Sequence, residues 1–268
     1  MLLLSFGALD HGMIGRGRGG ESSGKSARTW RWADGPLGRA VQRTGRYRNP
    51  NPVRAFDPVG AGFVESLARP GGNITGFVSF EYSMAGKWLE TLKLIAPHIV
   101  RIAGIRDLAS PSEMGMLGAI QAVMPAFAMP FIAIGGGDAV DFDRVIEEYA
   151  REPNGLIILP SPNTLVHRRV IMAQAARHRL PAIYPYGFFA REGGLISYGI
   201  VPSDNFRRAA AYVDRILKGA RPGELPVQVP TKFELVINLK TKEAYRKKIL
   251  RKAHIRESRQ KNRRLFQI

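Results

Sequence analysis

Short apolar segments alternate with amphipathic segments between residues 84 and 185, and this alternation constrains the fold more than any other feature. The first amphipathic segment has apolar residues at helical spacing and ends at Pro97: Met84, Trp88, Leu89, Leu92 and Ile95. Strands are predicted at 101–105, 130–134, 156–159 and 182–185, with helices at 112–124, 141–151 and 164–178. Repeats of this length predict a Rossmann-like α/β domain, a doubly wound parallel sheet with right-handed crossovers.

Residues 57–77 predict one helix and one strand ahead of this alternation. Asp57 and Pro58 are typical of a helix N-terminus, and the apolar residues that follow recur at helical spacing: Val59, Phe63, Val64 and Leu67. The sequence Arg-Pro-Gly-Gly at 69–72 ends the predicted helix, and 74–78 is predicted to be a strand. After residue 195 the sequence predicts another strand, a helix at 204–218 and a strand at 233–237.

Several segments in a fixed order resemble the ABC-transporter substrate-binding proteins of the tryptophan/tyrosine type. The resemblance covers about 57–241 and is carried by these segments: 57–77, Lys87-Trp88-Leu89-Glu90 with Ile95-Ala96-Pro97, 165–168, 175–182, 193–199, 212–219 and 231–240. It implies the type I periplasmic-binding-protein fold. It also implies a non-enzymatic component of an ABC importer that binds a small ligand, such as an aromatic or branched amino acid, between two lobes. An ABC permease as partner, a periplasmic location and no cofactor follow from the same resemblance.

Domain boundaries are predicted from where the resemblance begins and ends. Residues 56–80 and 220–241 would belong to an apparently incomplete first lobe, and 81–219 would form the second lobe. Residues 1–55 are rich in Gly and Arg and predict a mostly irregular segment, while 242–268 form a basic tail. The apolar stretch at 1–9 is short, and no positive residue precedes it, so it is not typical of a signal peptide.

The positive charge of the chain is concentrated at its two ends. The formal net charge is +18, yet residues 56–239 hold eighteen Lys and Arg against seventeen Asp and Glu. A basic tail at 242–264 could bind nucleic acid or an anionic membrane, which is one alternative function. A truncated, non-functional remnant of a solute-binding protein is another.

Candidate ligand-binding residues follow predicted strands, because ligands of open parallel sheets sit outside the carboxyl ends of the strands. A helix start at 160–164 offers N–H groups to a carboxylate, with side-chain hydrogen bonds from Ser161, Asn163 and Thr164; plain helix capping is the alternative. Tyr184 and Tyr186 would provide aromatic walls or end a half-buried strand. In the first lobe, the equivalent loop is Asp57-Pro58-Val59, where Asp57 takes a ligand ammonium or caps its helix.

The sequence gives little support for catalysis or metal binding. Residues 19–26 match the phosphate-binding pattern GxxxxGK[S/T], with Lys25 and Ser26 in its functional positions, but no apolar strand precedes them. The five histidines have no metal-ligand spacing; His167 and His178 lie three turns apart on one predicted helix. The chain has no cysteine, which excludes disulfides and thiolate sites. No catalytic constellation is present in the sequence, so we expect no enzyme activity.

Overall fold

The structure is a computed structural model that describes residues 2–5, 57–60, 62–108, 113–151, 154–243 and 245, with 2–5 described by backbone alone. Apart from 2–5, the predicted irregular segment at 1–55 lies outside these residues, as do the GxxxxGK[S/T] pattern and most of the basic tail. Two compact units form: unit 1 takes the described residues within 1–82, 111–115 and 202–232, and unit 2 takes the remainder. The predicted lobe boundaries assign 202–219 and 233–241 differently, and the division into lobes stays a prediction.

Unit 2 contains a six-stranded sheet with the strand order β4-β3-β5-β6-β7-β8. Its strands are β3 (Arg101–Asp107), β4 (Phe131–Gly136), β5 (Asn154–Ile158), β6 (Ala182–Tyr184), β7 (Ile196–Ile200) and β8 (Phe233–Ile237). All neighbours pair in parallel except β7 and β8, which are antiparallel. The helices in chain order are α1 (Met84–Ile95), α2 (Met114–Val123), α3 (Ala139–Tyr149), α4 (Pro162–Val166), α5 (Arg168–His178) and α6 (Gly187–Arg191).

Helices cover both faces of this sheet. On one face, Phe142 and Ile146 of α3 and Ile171 of α5 pack with strand residues such as Ile105 and Ile158, all fully buried. Alternate strand residues point the other way: a side chain added at Gly155 would meet Leu92 of α1 and Ile99. The arrangement is the two-sided α/β layer that the alternating sequence predicts, and the mostly parallel α/β fold is confirmed.

Two polar contacts fix elements of unit 2 to each other. The indole Nε1 of Trp88, a residue only 1% exposed, donates a 2.7 Å hydrogen bond to the carbonyl oxygen of Tyr198 in β7. The hydroxyl of Tyr245 donates to the carbonyl oxygens of Ala175 and Leu180, at the end of α5, at 3.0 Å each. The first contact attaches α1 to the sheet, and the second attaches the chain beyond β8 to α5.

The described part of unit 1 is smaller and is drawn from distant parts of the chain. Strand β1 (Leu2–Ser5) pairs antiparallel with β2 (Ile74–Phe77), and α7 (Pro202–Leu217) is followed by a short 3-10 helix at Pro222–Glu224. A buried cluster joins Phe77 to α7 and to the segment after it: Ala209, Tyr212, Ile216 and Leu225. The hydroxyl of Thr75 donates to the carbonyl oxygen of Leu225 at 2.6 Å, which holds that segment against β2.

The predicted helix after Asp57 is wrong, because described residues 57–60 and 62–69 form turns and bends. Gly62 takes a φ of 71°, outside the helical region, and the carbonyl oxygen of Pro58 accepts the N–H groups of Phe63 and Val64. Phe63 and Val64 are nevertheless buried, so the apolar residues at these positions indicated burial correctly but did not indicate a helix.

Most other predicted elements are confirmed to within a few residues, and 233–237 is confirmed at both ends. The predicted helix at 164–178 is instead two helices, α4 and α5, with His167 between them, so His167 and His178 do not share one helix. Sequence reasoning missed α6, β1 and the antiparallel direction of β8. Among the described residues, no helix has the length and apolar character needed to cross a membrane.

Candidate functional site

The carboxyl ends of the parallel strands in unit 2 place four loops along one edge of the sheet. Asp107 ends β3, Gly136 ends β4, Ser161 lies just beyond β5, and Tyr186 lies just beyond β6. Ligands of open α/β sheets bind at this edge because the loops and helix starts that follow the strands can be varied without disturbing the core. This edge of the sheet is therefore the candidate site.

Asn163 joins three of these loops by hydrogen bonds. Its Nδ2 donates to the carbonyl oxygen of Gly137 at 2.8 Å and lies 3.5 Å from Oδ1 of Asp107. The N–H of Gly137 in turn donates to Oδ2 of Asp141 in α3 at 3.1 Å. Asp107 is 7% exposed, whereas Asn163 is half-buried. A largely buried carboxylate and a partly accessible amide therefore meet at the end of β3.

Ser161 and Thr164 form a capping box at the start of α4. The N–H of Thr164 donates to Oγ of Ser161, and the N–H of Ser161 donates to Oγ1 of Thr164, both at 3.0 Å. The hydroxyl of Thr164 also donates to the carbonyl oxygen of Leu159 at 2.8 Å. Both residues are buried, Thr164 completely. Their hydroxyls thus hold the loop that carries Asn163.

The two predicted aromatic residues lie in different surroundings. Tyr184 is 1% exposed and stacks on Phe189 inside the core, with ring centroids 5.1 Å apart. Burial raises the pKa of its hydroxyl, since a charged phenolate would lose its hydration. Tyr186 is half-buried at the start of α6 and stacks on Phe188 at 5.4 Å. Of the two rings, that of Tyr186 is the accessible one.

The predicted residues of unit 1 form a turn of their own. Oδ1 of Asp57 accepts the N–H groups of Val59 at 3.1 Å and Gly60 at 2.8 Å, so this carboxylate caps a turn instead of a helix. Pro58 is buried, and Val59 is 39% exposed.

Exposed apolar side chains lie on the same loops of unit 2 as the polar cluster. Leu108 directly follows Asp107, Val140 lies in the first turn of α3, and Val166 ends α4, with exposed fractions of 57%, 74% and 72%. We call these three residues the apolar rim. A carboxylate with neighbouring apolar surface suits a ligand that has a cationic group and an apolar part.

Sequence reasoning predicted Ser161, Asn163 and Thr164, which the fold brings together, but it missed Asp107 and Gly137. Both could have been found, because Asp107 and Gly137 closely follow the strands predicted at 101–105 and 130–134, so the rule applied to the strand before Ser161 covers them equally. In the described ranges, no three Asp, Glu or His side chains are close enough to hold a metal ion.

Comparisons with known proteins agree with this architecture. The model of a protein family described as ABC transporter substrate binding protein matches residues 51–256. A tyrosine-binding protein of Clostridioides difficile is 24% identical over 189 residues, which are 70% of this chain and 54% of that protein. The chain therefore spans only about half the length of this relative.

Two solved structures share the fold. A conserved domain protein from Vibrio cholerae has a TM-score of 0.66 and 22% identity, with 71% of this chain and 64% of that chain covered. An ABC domain from Streptococcus pneumoniae in complex with L-Trp has a TM-score of 0.65 and 20% identity, with coverages of 70% and 63%. At these identities the likeness is one of fold.

Proposed function

Because the chain belongs to the family of ABC transporter substrate-binding proteins, we propose that it binds an amino acid with an aromatic or branched side chain for an importer. The family is one of solute-binding proteins and not of enzymes, and we propose the same for this chain. The choice of ligand is supported by two proteins to which it is similar, one named for tyrosine binding and one bound to L-Trp.

The observation that carries this proposal is the meeting of Asp107 and Asn163 at the carboxyl edge of the sheet. An amino-acid ligand carries an ammonium group, which needs acceptors in place of water. The carboxylate of Asp107 supplies a charged acceptor, and the amide oxygen of Asn163 supplies a neutral one. Since Asp107 is only 7% exposed, weak screening by solvent would strengthen its attraction for a cation.

The other predicted residues of unit 2 take supporting roles in this proposal. Ser161 and Thr164 position Asn163 through the capping box. Tyr186 and the apolar rim offer the surface for the ligand side chain, and Tyr184 belongs to the core cluster against which Tyr186 packs. For unit 1, Asp57, Pro58 and Val59 stay predicted ligand contacts.

The remaining expectations concern the setting of the protein. An importer implies an ABC permease as partner and a location outside the cytoplasm, in the periplasm. Nucleic-acid or membrane binding by the basic tail, and a non-functional remnant, stay alternative hypotheses, since that tail lies almost entirely outside the described residues.

The test is a thermal-unfolding scan of the full chain with single amino acids, followed by calorimetric titration of those that raise the midpoint. A ligand present at 100 times its Kd adds about 2.7 kcal/mol to the free energy of unfolding, which shifts the midpoint visibly. We expect a shift with tyrosine, tryptophan or a branched amino acid, and none with the N-acetyl derivative, which lacks the ammonium group. If no amino acid shifts the midpoint, the proposed ligand class is wrong.

An Asp107→Asn variant tests the site separately from the function. Removing one charged partner of a hydrogen bond costs about 1.5–3 kcal/mol, so affinity should fall by about tenfold to 100-fold. Asp214→Asn is the matched control, because Asp214 is an exposed carboxylate on α7 whose Oδ2 lies 2.8 Å from Nζ of a surface lysine, Lys218. Equal loss in both variants, or none in Asp107→Asn, would leave the ligand class standing and overturn the site.

A further inference from the structure

Strand β8 is the edge strand of the six-stranded sheet, and one row of its side chains is apolar and exposed. Phe233, Leu235 and Ile237 are 37%, 54% and 38% exposed. They lie on the sheet face of Tyr198, which is opposite Leu235 in the β7–β8 register and stacks on Phe233 with ring centroids 5.9 Å apart. An edge strand with such a row is a surface onto which another strand can pair.

The main-chain groups of the same three residues point toward the open edge. The N–H of Asn238 donates to the carbonyl oxygen of Leu195 at 3.0 Å, which makes residue 238 a hydrogen-bonded position against β7. Along an antiparallel strand, hydrogen-bonded positions alternate. Residues 234 and 236 therefore bond to β7, while 233, 235 and 237 direct their N–H and carbonyl groups away from it.

Features that usually block edge pairing are lacking in β8. Natural edge strands are protected by proline, by lysine or by a bulge. Between 233 and 237 there is no proline and no lysine. The one charged residue is Glu234, whose Oε2 lies 2.6 Å from Nη2 of Arg191, so its charge is already balanced within unit 2.

We propose that β8 is a self-association strand and that two copies of this chain pair their β8 strands, antiparallel about Leu235, into one continuous sheet. This proposal does not depend on the ligand. In that register, Leu235 faces Leu235 of the second copy, and Phe233 faces its Ile237. Each pair lies at outward-pointing positions, so both main-chain hydrogen bonds of the pair can form.

The charges of the strand favour a second copy as the partner. In this register, Glu234 faces Val236 and Lys232 faces Asn238, so no two like charges are directly opposite each other. Each copy carries a formal net charge of +18, so the copies repel each other at long range, and the dimer should be stronger at high salt than at low salt. The apolar row of one copy would continue the row of the other on the same sheet face.

The experiment is analytical ultracentrifugation of the full chain over a wide concentration range, with two substituted forms. We expect a monomer–dimer equilibrium for the natural chain. Leu235→Lys would place two ammonium groups opposite each other and weaken the dimer by about 100-fold or more. The control is Leu217→Lys, because Leu217 at the end of α7 is equally exposed, at 54%, and its variant should dimerise like the natural chain.

A cysteine variant tests the register and guards against an effect of Leu235→Lys on folding. The chain has no cysteine, so Leu235→Cys introduces a single thiol. Hydrogen-bonded antiparallel pairs have Cα atoms about 5.5 Å apart, within the range that a disulfide spans. Mild oxidation should link two copies of Leu235→Cys and leave Leu217→Cys largely unlinked. A natural chain that is monomeric throughout, a Leu235→Lys dimer, or equal linking of both cysteine variants would overturn the proposal.

Discussion

Unit 1 and unit 2 are each stabilised internally by a different kind of contact. In unit 2, βα repeats bury apolar residues against both faces of one sheet, and the core cluster on one face takes its residues from the successive repeats between 103 and 189. In unit 1, residues near 75, 210 and 227 meet across long sequence separations, and polar contacts join them as much as apolar ones. Repetition makes the first kind of unit recognisable from sequence, whereas the second kind depends on contacts that no local pattern reports.

The largest loss of stability is expected for Phe142→Ala, because this change removes the centre of the apolar core of unit 2. It tests whether unit 2 depends mainly on apolar burial, in contrast to unit 1. Phe142 is fully buried, and truncating a buried phenylalanine costs about 3–5 kcal/mol, through lost apolar burial and the cavity left behind. Urea unfolding followed by circular dichroism measures this loss. Val140→Ala on the same helix is the control, because Val140 is 74% exposed and should change stability little. Equal losses would mean that this core is not the main source of stability.

A smaller loss of stability is expected for Tyr212→Phe in unit 1, where hydrogen bonds contribute to holding the segments together. The hydroxyl of Tyr212 donates to the carbonyl oxygen of Pro226 at 2.8 Å and accepts from Nε2 of Gln228 at 2.9 Å. Losing this hydroxyl while keeping the ring against Phe77 should cost about 1–2 kcal/mol, again measured by urea unfolding.

The control for Tyr212→Phe is Tyr198→Phe, at a half-buried tyrosine of unit 2. A substitution of this kind should stay within about 0.5 kcal/mol. If Tyr198→Phe costs as much as Tyr212→Phe, the special dependence of unit 1 on polar contacts is wrong.

The smallest change in stability is expected from the ionisation of Asp204 in unit 1, and it depends on pH. A hydrogen bond from Nζ of Lys232, at 2.8 Å, lowers the pKa of Asp204, and Arg208 and Arg207 add to the shift. Because the folded-state pKa is the lower one, this stabilisation is complete above the ordinary aspartate range, near pH 4, and disappears as the pH falls through the folded-state value.

Thermal unfolding of the natural chain and of Asp204→Asn at several pH values tests this expectation. The natural chain should be more stable at neutral pH, with the difference vanishing in strong acid. Salt should reduce the difference, since the side chain of Lys232 is 63% exposed. A difference that persists unchanged below pH 3 would show that the charge of Asp204 is not its source.

The contrast between the units also explains which parts of the fold could be predicted. Strand β8 was predicted at its observed bounds because a short apolar run between turn residues is a local signal, but its antiparallel direction depends on the distant β7. The helix predicted after Asp57 failed because Gly60 and Gly62 allow a turn that buries Phe63 and Val64 equally well.

The candidate site was predictable to a similar degree. Asn163 was found because a polar loop after an apolar strand is visible in sequence. Its contact with Asp107 joins residues 56 positions apart and is set by the order of β3 and β5 in the sheet. Tyr184 was expected to form an aromatic wall for a ligand or a half-buried strand end, yet it lies in the core, because a residue at the end of a buried strand can point to either face of the sheet.

The hydrogen bond from Trp88 to Tyr198 gives unit 2 its own optical signal. The indole is buried away from solvent and hydrogen-bonded to a carbonyl oxygen, so its emission maximum should lie at short wavelength. The maximum should shift to longer wavelength when α1 separates from the sheet. The other two tryptophans are Trp30 and Trp32, which phenylalanine could replace. A chain with Trp88 as its one indole would report the opening of unit 2 by colour alone, while circular dichroism follows the whole molecule.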